Sequence, residues 1–346
     1  MFANPRSPFG LRGLPDARTL AWILKFIGAA RTARSEAAGP LLRDLNLASR
    51  AAYERLVQGL GPGVGYARNG LLMLCQTQAA LDGEKNLVNR ANQLGLASKV
   101  LTKCDILALE PNLTVNTIGG ALFEDDAHLS PPALMAGLRA ALVQRGVAFQ
   151  TAAVDGFETS TGRIRAALAG GQRFESGQFI FTAGAWTGRL ARKLGVNLPM
   201  LSGKGYGVTV ANPPEAISRA AILAEARVAV TPMPDGIRFV GTLELGHPSN
   251  SVNPSRVDGF LSSVPNYFPN FPKPAAQEVW VGNRPCTPDG LPYLGRLQNW
   301  PNAVVATGHA MMGMSLGPIT GDLVAEILAG QPPSIPLDLL APERFA

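Results

Sequence analysis

Arg284 stands at the end of an apolar stretch and directly before Pro285, so its loop is stiff and its planar guanidinium can be held at one point in a cleft. Such a fork captures a carboxylate through two parallel hydrogen bonds. The same residue also reads as a surface arginine paired with Asp289. A second feature is the turn Gly308-His309-Ala310-Met311-Met312-Gly313, between an apolar strand and a long helical pattern. A strand, a small-residue turn and a helix gather backbone N–H groups and a positive helix end at one spot. That spot suits an anion or the electron-rich edge of a cofactor ring, although the turn also reads as purely structural. Its spacing is not GxGxxG and it lacks a P-loop lysine, so it supports neither NAD binding nor nucleoside triphosphate hydrolysis. His309 is placed either to reach a cofactor or proton-transfer site or to serve as a structural hydrogen-bond donor. Met311, Met312 and Met314 suit the lining of a flavin or substrate pocket, or flexible core filling.

Other chemistries find little footing. His128 follows Glu124, Asp125 and Asp126, but the three histidines show no HExxH pairing, so this reads as a solvated acidic loop and no metal site is expected. No G-x-S-x-G elbow supports a serine hydrolase. Cys75, Cys104 and Cys286 are far apart and form no CxxC pair, which speaks against a disulfide scaffold and for a reducing compartment.

The elements that must position these residues alternate between helical and extended patterns. Two helices are predicted over 17–37 and 40–60, divided at Gly39-Pro40. A strand at 71–75, a helix at 78–94, a short helix ending at Glu110-Pro111 and a strand at 119–123 follow. Ser130 caps a helix from Ala133 to Gln144, and a strand is predicted at 147–151. Strands at 163–168 and 172–175 read as a hairpin, and strand 178–182 runs into Ala183-Gly184-Ala185-Trp186 and a helix, an α/β crossover signature. Strands at 206–211, 228–231 and 237–245 suggest an antiparallel sheet, interrupted by a helix around 255–264 and resumed at 277–283. A strand at 303–307 leads through the glycine turn into a helix ending near Ala329. The predicted organisation is a basic helical segment over 1–70, a substrate domain from 71–125 and 200–280, a cofactor domain from 126–199 and 281–335, and a loose tail over 336–346.

The 346 residues are enough for two domains, and with 46% apolar and 16% charged residues neither disorder nor a coiled coil is the main class. The net charge of +6 arises entirely within residues 1–70, which carry ten Lys or Arg against four Asp or Glu. There Leu20, Ile23, Leu24, Phe26 and Ile27 alternate with Arg18, Lys25, Arg31 and Arg34, as in a helix packed on its own protein or in a basic amphipathic helix resting on an anionic membrane surface. No apolar run spans a bilayer and no secretory signal is evident. The aromatic platforms and basic groove of a nucleic-acid binder are missing.

Taken together, Phe179-Ile180-Phe181-Thr182-Ala183-Gly184-Ala185-Trp186, Gly203-Lys204-Gly205-Tyr206, Val240 to Glu244, Trp280 to Gly295 and Ala306 to Gly313 resemble the FAD-dependent amine oxidoreductases of the D-amino-acid oxidase and glycine oxidase superfamily. Within it the chain is most similar to the bacterial D-amino-acid dehydrogenase small subunits. The resemblance implies an α/β plus α+β fold, with a Rossmann-like cofactor domain and an antiparallel-sheet substrate domain. It implies FAD as cofactor, an amino acid as substrate, and transfer of the α-hydrogen as hydride to flavin N5, giving an imino acid that hydrolyses to an oxo acid and ammonia. Arg284 is similar to the arginine that holds the substrate carboxylate. Gly308, His309, Gly313 and Met314 resemble the segment along the flavin pyrimidine edge. Val154 resembles the backbone position on the adenine side, Gly184 lies close to the cofactor, and Tyr206 helps shape the pocket.

Members of this family open with a strand, GxGxxG, a helix and an acidic residue, whereas Met1-Phe2-Ala3-Asn4-Pro5 resembles the stretch just after that unit, so the expectation is a chain lacking roughly fifty to seventy residues of it. An incomplete Rossmann-like domain implies weak FAD binding. A cytoplasmic location is implied, with peripheral contact on the inner face of the membrane and a respiratory quinone as electron acceptor; an oxidase would use oxygen instead. The alternatives are a hydroxyproline- or sarcosine-type amine dehydrogenase and a non-catalytic subunit or remnant.

Overall fold

A computed structural model describes residues 7–30, 32–276 and 278–345. The chain runs β1 (Phe9–Leu11), α1 (Ala17–Ala29), α2 (Thr32–Gln58), β2 (Leu71–Cys75), α3 (Gln78–Gln93), β3 (Ser98–Thr102), α4 (Lys103–Leu109), β4 (Gly119–Phe123) and α5 (Pro131–Gln144). It continues β5 (Gly156–Ser160), β6 (Arg163–Ala169), β7 (Gln172–Glu175), β8 (Phe179–Phe181), α6 (Thr187–Arg192), β9 (Leu201–Val210), β10 (Ala220–Leu223), β11 (Val228–Met233) and β12 (Gly236–Gly246). The last elements are α7 (Pro254–Leu261), α8 (Val264–Tyr267), β13 (Val279–Cys286), β14 (Tyr293–Leu297), β15 (Trp300–Thr307) and α9 (Gly313–Ala329).

Nine strands form one large, mainly antiparallel sheet in the order β13-β9-β12-β11-β10-β2-β4-β3, with β1 added to β12 in parallel. One face of this sheet is sealed by α7 and α8, where Val208, Phe239, Phe260, Tyr267 and Phe268 form a buried core. A second sheet, β14-β15-β8, pairs β15 with β8 in parallel and packs against α2, α6 and α9. A third sheet, β5-β6-β7, contains the predicted hairpin. The expected mixture of α/β and α+β architecture is therefore observed.

Beneath β9 and β12 lies the most charged part of the core. Lys204 and Glu244 are both almost fully buried and paired at 3.1 Å, and Arg256 reaches the other oxygen of the same carboxylate. Tyr206 donates its hydroxyl to Glu244 at 2.8 Å. Burial works to raise the Glu244 carboxyl, but bonds from Tyr206 and Lys204 and the Arg256 charge hold it below its ordinary range. Arg256 also donates to the Ser7 carbonyl at 2.6 Å, which ties the first described residues to the sheet.

Several sequence expectations change. The break at Gly39-Pro40 is absent: α2 runs through Pro40, because Leu41, Leu42, Leu45 and Ala48 beyond it pack against α9. Tertiary burial there outweighs the lost backbone bond. The strand expected at 147–151 is extended coil with Val147 and Phe149 exposed, since no described neighbour pairs with it. The outer edge of β8 likewise has no partner strand among the described residues. The tail is not loose: Leu340 is buried, and Arg344 makes a two-point ion pair with buried Asp289. Short strands β1, β3, β10 and β14 were not evident in the sequence, where local propensity is a weak guide to edge pairing.

Removing the shared carboxylate would leave two buried cations. Glu244→Ala is therefore expected to lower stability by about 3–5 kcal/mol, read from the urea unfolding midpoint; a midpoint equal to wild type would contradict this role.

Candidate functional site

The site is built on strand β9, whose sequence alternates Gly203, Gly205 and Gly207 on one face with Lys204, Tyr206 and Val208 on the other. β13 pairs antiparallel with it, setting Arg284 opposite Gly203 and Trp280 opposite Gly207. Gly205 is a steric requirement. A Cβ on Gly205 would lie 2.6 Å from Cζ of Arg284, so the guanidinium rests on bare backbone.

Across the strand, β12 carries a bulge between Gly241 and Glu244. At its centre Thr242 has φ +68°, a strained value for a β-branched residue. The bulge turns the Thr242 carbonyl toward Arg284, which donates to it at 3.1 Å and more weakly to the Gly203 carbonyl at 3.5 Å. Among the described residues no carboxylate pairs with Arg284, and Asp289, the partner suggested by sequence, is engaged by Arg344. Burial pushes the Arg284 pKa down, as desolvation of an unbalanced charge requires. The Thr242 hydroxyl is also buried without a hydrogen-bond partner. A charged donor and an orphan hydroxyl group together suit an anionic ligand.

The glycine turn faces this arrangement. It leaves the carboxyl end of β15, and a bridge between Cys286 and His309 joins it to the end of β13. Gly308 has φ +83°, and a Cβ there would meet the Thr287 methyl at 2.6 Å. Thr307 donates to the Gly184 carbonyl at 3.1 Å, so the turns after the parallel strands β15 and β8 are tied together. This is the crevice outside the carboxyl ends of strands where open α/β sheets bind ligands. Helix α9 begins at Gly313 with no side-chain cap and no acidic residue in its first turn. Its free N–H groups and dipole favour negative charge at the turn. Tyr53 and Ser49 of α2 donate to the Met314 and Ser315 carbonyls and fix the helix start.

The sequence-selected residues are thus distributed unequally. Arg284, Gly184, Gly308, His309, Gly313 and Met314 lie on the two strand ends and turns just described. Tyr206 does not join them: it is fully buried on the opposite face of the sheet with its hydroxyl on Glu244, so the expectation that it shapes the pocket is corrected to support from behind. His309 bonds Thr320 of α9 at 3.0 Å and so links turn to helix, and burial lowers its pKa to about 4. Val154 sits in the exposed segment before β5, and no described contact links it to the turns. Trp280, 62% exposed beside the Gly282 backbone, and strained Thr242 were missed as site residues. The alternating glycines of β9 were the only available signal for this face.

A planar cofactor can be tested against these residues. Met311 is 74% exposed, and Met314 also leaves apolar surface open at the glycine turn, which suits cover by an aromatic ring. The uncapped α9 suits the electron-rich edge of such a ring. These residues fit the ring end of FAD; among the described residues no GxGxxG turn is present for its pyrophosphate.

Comparison with known proteins agrees with this geometry. The family model described as FAD dependent oxidoreductase matches residues 13–327. A D-amino-acid oxidase from Bradyrhizobium diazoefficiens is 28% identical over 99% of this chain and 82% of its own length. A D-amino acid dehydrogenase from the same organism is 26% identical over 98% and 82%. Among solved structures, glycine oxidase from Geobacillus kaustophilus superposes with a TM-score of 0.80 at 26% identity, covering 88% of this chain and 83% of that one.

Gly205→Ala is expected to displace the Arg284 guanidinium and raise KM for a carboxylate substrate by tenfold or more, on the order of 1.4 kcal/mol, with circular dichroism unchanged; an unchanged KM would show that Arg284 does not need the bare strand. His309 binds no proton in the fold at a pH where the unfolded chain does, so its contribution to stability is full above about pH 6.5 and falls as the pH drops toward 4. Its imidazole NMR signal should show no titration between pH 8 and 5.5, whereas a step near pH 6.5 would overturn the buried, neutral assignment.

Proposed function

Because the chain belongs to the FAD-dependent oxidoreductase family, we propose that it carries out oxidative deamination of D-amino acids to 2-oxo acids and ammonia. The observation that carries this reading is the Arg284 guanidinium, which is desolvated, has no carboxylate partner among the described residues and lies on bare glycine backbone beside the Gly308–Gly313 turn. FAD, when bound, supplies the acceptor for the two electrons and the α-hydrogen. Arg284 holds the substrate carboxylate through two charge-assisted bonds and so fixes the orientation of the α-carbon. Trp280 walls the outer side, and Ala229, on the same sheet face by register, leaves room for a substrate side chain. No protein acid–base pair is required, because the amine can be presented neutral and the imine hydrolyses in water. The names of the relatives, a D-amino-acid oxidase and a D-amino acid dehydrogenase, support the D configuration.

Transfer of the electrons to a respiratory quinone is the favoured route. Leu20, Leu24 and Ile27 recur at helical spacing on α1 and are 50%, 71% and 61% exposed, which supports peripheral contact with a membrane surface. Among the described residues no helix is long and apolar enough to cross a membrane. The edge of β8, which has no partner strand among the described residues, and the exposed 147–154 segment favour weak retention of FAD.

The test is anaerobic absorption spectroscopy with excess FAD and a panel of D- and L-amino acids. D-amino acids should bleach the flavin, L-amino acids should not, and Arg284→Met should lower the second-order rate of bleaching by about a hundredfold or more. Absence of bleaching by every amino acid at saturating FAD would refute the assignment.

A further inference from the structure

A cleft of about 460 Å³ lies between α1, α6 and the segment leading into β9. Arg18 and Lys25 enter it from α1, and Arg189 and Arg192 from α6; Trp22 and Trp186 contribute walls. Its lining contains no Asp or Glu. Trp22, Leu201 and Cys286 pack together between the cleft and the end of β13, and Trp22 donates its indole N–H to the Cys286 carbonyl at 3.1 Å. Arg284 is not among the residues that line the cleft, and this cluster stands between them.

Its charge is uncompensated. Among the described residues, Arg18, Arg189 and Arg192 have neither an ion pair nor a hydrogen-bonded acceptor, while Lys25 donates only to the Phe345 carbonyl at 2.9 Å. Asp16 caps α1 and pairs with His247 at 3.1 Å rather than with the arginines. Burial, followed by the like charges of Arg18 and Arg189, depresses the pKa of Arg192. Bringing three guanidinium groups together without a counter-charge costs free energy that a bound anion would recover.

We propose that this cleft binds the phosphate of an organic phosphate ester, with the guanidinium groups of Arg18, Arg189 and Arg192 on the phosphoryl oxygens and the organic part against Trp186. A carboxylate, with one charge and two oxygens, would leave part of the cluster unpaired, whereas a phosphoryl group offers three oxygens and up to two charges. Trp186 is 47% exposed and presents an apolar surface to the non-phosphate part. The inference does not depend on the amino-acid reaction. Soluble phosphate esters and phospholipid headgroups share the required chemistry.

Two arms of one experiment separate these sources. Isothermal titration of the chain with glycerol 3-phosphate and inorganic phosphate reads a soluble ligand; sedimentation with phosphatidylcholine vesicles, with and without phosphatidic acid, reads a headgroup. Binding in either arm that weakens about a hundredfold or more in Arg18→Gln/Arg189→Gln/Arg192→Gln supports the site. The control Lys103→Gln/Arg163→Gln/Arg165→Gln removes equal charge outside the cleft and should bind as wild type. Trp186→Ala should weaken glycerol 3-phosphate while leaving inorganic phosphate unchanged. Failure of every probe to bind, or equal losses in both triple variants with native circular dichroism, would overturn the proposal.

Discussion

The bare face of β9 is the constraint on which the rest of the site depends. Gly205 leaves bare the ground that Arg284 must cover, and a single Cβ there would occupy the guanidinium position. Such a strand has little intrinsic stability, because glycine contributes no packing and loses much backbone entropy. Its other face offsets this. Lys204, Tyr206 and Val208 anchor β9 through the Glu244 network and the apolar core, so one strand is both a glycine platform and a buried support.

The bulge in β12 links these two roles. It interrupts the pairing that would otherwise continue from Gly241 to Glu244, placing the Thr242 carbonyl on Arg284 while Glu244 stays beneath the sheet. Strain at Thr242 is tolerated because both flanks are pinned. On the other side of the crevice, the Thr307 to Gly184 bond and the Cys286 to His309 bridge hold the turn against the sheet. Arg284 and the helix end that favours negative charge are thereby held on elements tied to one another.

Much of this was legible in the sequence, for identifiable reasons. Strand, turn and helix from Ala303 to Ala329 are marked by an apolar run, glycine punctuation and a helical period, and the structure follows them closely. Arg284 stood out through Pro285 and its position at a strand end. The face on which Tyr206 lies was hidden, because register is a tertiary property and a one-residue shift inverts a strand. The neutral state of His309 was hidden too, since it follows from burial against α9 rather than from its neighbours in the chain. Pro40 and the 147–151 segment misled in opposite directions: the first is overridden by packing on α9, and the second lacks a described strand to pair with.

We propose that Arg284 recognises a carboxylate. This is tested most directly by anaerobic single-turnover reduction of FAD-loaded protein, comparing a D-amino acid with its uncharged amide in wild type and in Arg284→Met. Wild type should favour the acid strongly and the variant should lose that preference, so that the two changes are coupled. Equal preference for the acid in both proteins would contradict it.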